Sequence, residues 1–114
     1  MGKEGETQVG ILKLRVIEEG SMSTLALAGE LDLANADSVS AELERLEALG
    51  APLRIDLSEL EFIDSTGIAI LVAAHNRLGN SLQVVPSPAP EVRRVLAITG
   101  LDAKLPFAPP VESR

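Results

Sequence analysis

The sequence contains no cysteine, which excludes disulfide cross-links, thiol catalysis and every cysteine-ligated metal site. It has no tryptophan and no tyrosine, and Phe62 and Phe107 are its only phenyl rings. A core must therefore be assembled from Leu, Ile, Val and Ala. No aromatic platform is available to stack single-stranded bases. Positive charge is also scarce: Lys and Arg number 10 against 17 Asp and Glu, a formal net charge of -7. Phosphate backbones attract basic surfaces, so no nucleic-acid partner is expected. The longest apolar run, Ile68–Ala74, is far shorter than the roughly 20 residues that cross a bilayer. The opening MGKEGETQVG lacks an apolar signal core, and Glu6 breaks the myristoylation pattern. A cytoplasmic domain without membrane insertion is the expectation.

What is present is an ordinary globular balance. Of 114 residues, 46% are apolar and 24% charged, enough for one compact domain. Residues 1–10 are polar and are expected to form a flexible tail. ILKLRVI (11–17) and TLALAG (24–29) each alternate apolar with polar or small residues and predict an antiparallel hairpin across EEGSMS. In ANADSVSAELERLEALG, Val39, Leu43, Leu46 and Leu49 recur at helical spacing. Asn35 is the expected N-cap and Gly50 the stop. LRIDL (53–57) predicts a third strand, with Asp56 as its polar end and ELEFI continuing extended. STGIAILVAAHNRLG is long enough to favour a helix over a buried strand. SLQVV (81–85) predicts a fourth strand. PSPAPEVRRVLAITG predicts a helix capped by Ser87, with Val92, Val95, Leu96 and Thr99 facing the core. A short extended piece is expected at 105–107, then a Pro-rich tail at 108–114. The order is β-β-α-β-α-β-α, an α/β mixed sheet with helices packed against it. The two later strands flank a helix and should run parallel through a right-handed crossover.

The stretch that carries chemistry is IDSTG. Ser65 lies between a strand and a helix, and three readings compete. It can be a helix cap, worth about 1 kcal/mol, a job that Asp64 could do one residue earlier. It can be a nucleophile, but the only histidine, His75, is ten residues along the same helix, about 15 Å away by helical rise. The segment is also not a G-x-S-x-G elbow. Gly67 belongs to no phosphate-binding glycine motif, and its expected use is close backbone approach or shaping of the turn. The third reading is a modified switch. Backbone N–H groups and the helix dipole favour an anion at a helix start, and a phosphate there adds about -1.5 to -2 charge at pH 7. Cap and switch both remain open on spacing alone.

Four stretches together resemble the STAS-domain family, and within it the bacterial anti-sigma factor antagonists. LALAGELDLANADSV is similar to that family's second strand, Gly-Glu-Leu-Asp turn and first helix. LRIDLSELEFIDSTGIAIL is similar to its central strand, loop and second helix, and is the most specific piece. SLQVVPSP and VRRVLAITGL are similar to its fourth strand and third helix. The likeness covers residues 11–107. It implies a non-enzymatic regulator without a cofactor. Ser65 would be the phosphoacceptor, Asp64, Thr66 and Gly67 its loop, and Glu30, Leu31 and Asp32 a neighbouring part of the partner surface. The implied partners are an anti-sigma factor that is also a serine kinase and a metal-dependent serine phosphatase. The unphosphorylated form would hold the kinase and free a sigma factor. The alternative is a STAS subunit of a lipid-type ABC transporter or a stress-sensing complex, docking without phosphorylation. One departure stands out: many relatives end in a further helix, which the prolines of FAPPVESR oppose.

Overall fold

A computed structural model describes residues 3–107. One mixed five-stranded sheet runs in the order β1-β2-β3-β4-β5. Its strands are β1 (Lys3–Val9), β2 (Leu12–Glu19), β3 (Met22–Leu31), β4 (Leu53–Ile63) and β5 (Leu82–Val85), and the helices are α1 (Ala36–Glu47), α2 (Ser65–Leu78) and α3 (Pro90–Ile98). The expected β-β-α-β-α-β-α order is present from Leu12 onward, and one strand precedes it. Lys3–Val9 is therefore not the flexible tail that its polarity suggested. It pairs antiparallel with β2 from Lys3↔Glu18 to Val9↔Leu12. Its side chains are almost all exposed, so backbone pairing rather than burial holds it. Hydropathy gives no signal for such a strand.

β2 and β3 form the expected antiparallel hairpin, whereas β3–β4 and β4–β5 pair in parallel. Alternation buries Leu12, Leu14 and Val16 on β2 and Leu25, Leu27 and Leu31 on β3. β4 does not stop at Asp56. It runs on to Ile63 with two register shifts against β3, one between Ala26 and Ala28 and one between Gly29 and Glu30. These bulges let Leu57, Leu60 and Ile63 all reach the core despite their spacing of three. The Asp56 carboxylate accepts the Ser58 N–H at 2.9 Å within the bulged stretch, so it shapes the strand rather than ending it.

In α1, Val39, Leu43 and Leu46 are buried as their spacing predicts, but Leu49 lies beyond the helix and is 53% exposed. Across its outer edge Arg77 of α2 grips Glu47 of α1 with two bonds, 2.9 and 2.6 Å. That pairing raises the Arg77 pKa above its ordinary value. On α3, Val92 and Leu96 are buried, Val95 is half-buried, and Thr99 is exposed rather than facing the core. Ser87 does not cap α3, whose N-cap is Ala89. The buried Ser87 hydroxyl instead donates to the Leu60 carbonyl at 2.6 Å and accepts from the Ala89 N–H at 3.0 Å, fastening the β5–α3 loop to β4. The expected last extended piece is a single parallel bridge, Val84↔Phe107. The Pro-rich segment 108–114 lies outside the described residues. Among the described residues no helix is long and apolar enough to cross a membrane.

Candidate functional site

The site forms where β3 and β4 end side by side. Parallel register sets Glu30 beside Phe62 and Leu31 beside Ile63, so the two following loops emerge together. Gly29 makes the approach possible on the other flank. Its φ is +108°, and a Cβ there would collide with the Ile11 carbonyl oxygen. That same oxygen accepts the Glu30 N–H at 3.2 Å.

Asp64 is the N-cap of α2, in extended conformation. Its Oδ1 accepts the N–H groups of Thr66 at 2.9 Å and Gly67 at 3.1 Å. Its Oδ2 reaches across to the other loop and accepts the Leu33 N–H at 3.1 Å. Its own N–H donates to the Leu31 carbonyl at 3.2 Å. One residue thus caps the helix and ties both loops together. Two of the helix's orphan N–H groups are satisfied without any help from Ser65.

The 30–35 loop is tied internally. Asn35, the expected α1 cap, makes no capping bond. Its buried amide instead accepts from the Asp32 N–H at 3.0 Å and donates to the Glu30 carbonyl at 2.9 Å. Asp32 Oδ1 accepts the Ala34 N–H at 3.0 Å. Backbone groups recruit both side chains into a turn, which is the usual competition between Asn or Asp and helix capping.

Ser65 is exposed at the first position of α2, and its hydroxyl makes no hydrogen bond among the described residues. The cap is therefore Asp64, and the Ser65 hydroxyl is available. Thr66 is half-buried, Glu30 is exposed and Asp32 is half-buried. Leu31 is not part of any surface: it is fully buried. Gly67 is buried too, and what approaches it is side chain rather than backbone. A Cβ at Gly67 would lie 2.6 Å from Ile63 Cγ1 and 2.8 Å from Leu31 Cγ. Leu31 and Gly67 thus set the height of the α2 start above the sheet. The apolar side chain that does face outward here is Leu33, 74% exposed. Sequence reading passed over it because Leu31 and Leu33 both alternate with acids in GELDLA, and only the end of the strand separates them.

His75 is half-buried farther along α2, and its Nδ1 is enclosed without a partner among the described residues. Among those residues no cluster of three or more His, Cys, Asp or Glu side chains is placed to hold a metal ion.

The family model described as Mlab, STAS domain matches residues 14–106. The anti-sigma-F factor antagonist RsfB of Mycobacterium tuberculosis is 30% identical over 93 residues, covering 80% of this chain and 76% of that one. The chain belongs to the STAS-domain family of anti-sigma factor antagonists. A second family member, the anti-sigma-B factor antagonist of Listeria monocytogenes, is 37% identical over 78 residues, covering 66% of this chain and 68% of its own length. The crystal structure of an anti-sigma factor antagonist from Mycobacterium paratuberculosis superposes with a TM-score of 0.77 at 32% identity, covering 88% of this chain and 87% of that one.

Proposed function

We propose that this STAS domain is an anti-sigma factor antagonist switched by phosphorylation of Ser65. In the unphosphorylated state it binds an anti-sigma factor that is also a serine kinase, and so releases a sigma factor. Phosphotransfer to the Ser65 hydroxyl ends that binding, and a metal-dependent serine phosphatase restores it. The observation that carries this reading is the division of labour at the start of α2. Asp64 supplies the capping bonds, which leaves the neighbouring exposed hydroxyl with no structural duty.

The electrostatics fit a switch of contact rather than of fold. A phosphate at the first helical position sits near the positive end of the helix dipole. Asp64 and Asp32 stand close by in the two tied loops, so the new charge makes an already acidic surface markedly more so. A partner surface that accepts Ser65 and Leu33 in close contact then meets uncompensated negative charge. Glu30, Asp32 and Thr66 complete the proposed contact surface, supported from below by Leu31 and Gly67.

The test is affinity capture from native lysate with the wild-type chain and Ser65→Asp as baits. Recovery of an ATP-dependent serine kinase by wild type alone, with phosphate then mapped to Ser65, is the expected result. Recovery of the same transporter components by both baits would replace this reading with that of a docking subunit.

A further inference from the structure

The sheet face opposite Leu12, Leu14 and Val16 has a layout that register makes explicit. Arg15 pairs with Ala26, and Ala26 with Asp56. Lys13 pairs with Ala28, and Ala28 with Glu59. Registered residues on neighbouring strands point to the same side. Two successive rows therefore run cation, alanine, carboxylate across β2, β3 and β4. A cleft of 240 Å³ lies over these rows and is lined entirely by strand residues. The next row has apolar flanks about an exposed carboxylate, Glu30. Ile11 flanks Glu30 through its carbonyl, Glu30 pairs with Phe62, and these two apolar side chains are 56% and 38% exposed.

We propose that this face is the interface of a two-fold symmetric homodimer. Consider a two-fold axis parallel to β3, lying between two stacked sheets. It sets β3 on its own copy and sets β2 of each chain over β4 of the other. Lys13 then meets Glu59 of the second copy, Arg15 meets Asp56, and Ile11 meets Phe62. Each contact occurs twice, as an isologous interface requires. The alternative two-fold, perpendicular to the strands, sets β2 over β2 and brings Arg15 against Arg15. The charge layout thus selects one axis. In the two charged rows the residue under the axis is alanine, which keeps the floor low enough for the flanking charges to pair. In the third row Glu30 lies under the axis and faces its own copy, a like-charge contact that weakens the dimer.

The same features make the dimer weak. A patch of three rows on three strands is smaller than the standard interface of about 800 Å² per partner. Each copy also carries a net charge of -7, which opposes association at long range. Arg15 holds Glu4 of its own chain at 3.4 Å, with both side chains about half exposed or more; so open a contact competes little with one formed across an interface. The proposal uses neither Ser65 nor a kinase, and its test changes only Lys13 and Glu59, so it stands or falls separately from the phosphorylation reading even though Glu30 borders both surfaces.

Sedimentation velocity over a wide range of protein concentration tests it. Wild type is expected to shift from monomer to dimer as concentration rises. Lys13→Glu and Glu59→Lys change exposed side chains and should leave the fold intact. Each turns two attractions into repulsions and is expected to raise the dimer Kd about tenfold or more. An equimolar mixture of the two variants, and a chain carrying both changes, should recover the wild-type Kd. A wild type that stays monomeric at every concentration overturns the proposal. So do variants that dimerise with unchanged Kd, or a mixture that does not recover association.

Discussion

Asp64 and Leu33 are 31 positions apart in the chain and are joined by one hydrogen bond of 3.1 Å from the Leu33 N–H to the Asp64 carboxylate. The same carboxylate caps α2, so removing it opens two structures together. Asp64→Ala is expected to lower stability by about 2–3 kcal/mol, because a cap is worth roughly 0.5–2 and a backbone bond to a charged acceptor adds to it. Asp64→Asn keeps one amide oxygen for the cap and should lose less. Urea denaturation gives the two values. Hydrogen exchange at the Leu33 amide should accelerate in both variants, and unchanged protection there would show that the inter-loop bond does not form in solution.

Among the described residues the Ser65 hydroxyl makes no hydrogen bond, so its substitution breaks none there. Ser65→Ala and Ser65→Asp are both expected to unfold within about 1 kcal/mol of wild type, the range of a single charge at a helix start. Their partner binding should differ: retained in Ser65→Ala, lost in Ser65→Asp. Calorimetric titration with the captured kinase checks this against thermal melts of the same samples. Equal binding by both variants would mean that charge at Ser65 is not the switch.

Gly67 sits where a methyl group has no room. Gly67→Ala gains roughly 1 kcal/mol of helix propensity. It also forces a Cβ into the Ile63 and Leu31 side chains, an overpacking that costs about 1–3 kcal/mol. Net destabilisation is expected. Combining Gly67→Ala with Leu31→Val, which withdraws volume from the same contact, should give less than the sum of the two losses, and a double-mutant cycle reads that directly.

The α1 stripe separates buried from exposed leucines at one helical repeat. Leu43→Ala should cost about 2–5 kcal/mol, as emptying a core position does, and so should Leu71→Ala on α2. Leu49→Ala, which alternation of the stripe would equate with them, should change stability by no more than about 0.5 kcal/mol. Chemical denaturation midpoints for the three variants distinguish these positions.

Sequence alone determined much of this protein. Period-2 and period-3.6 patterning set β2, β3, α1 and the buried stripe through Val39, Leu43 and Leu46, because burying one face of a strand or helix leaves its period in the sequence. The IDSTG junction marked Ser65 for the same reason: a strand and a helix must change direction somewhere, and polar residues gather there. Tertiary structure decided the rest. β1 carries no hydrophobic pattern because its pairing is backbone to backbone. β4 reads as a short strand, LRIDL, followed by an extended stretch, ELEFI, because its two bulges shift the period halfway. The bond from Asp64 to Leu33 and that from Ser87 to Leu60 depend on backbone groups from distant segments arriving within hydrogen-bond reach, which the parallel pairing of β4 with β3 and β5 brings about and no local pattern in the chain encodes. Asn35 is diverted from capping by nearer groups, the Asp32 N–H and the Glu30 carbonyl, which only the fold of the turn presents to it.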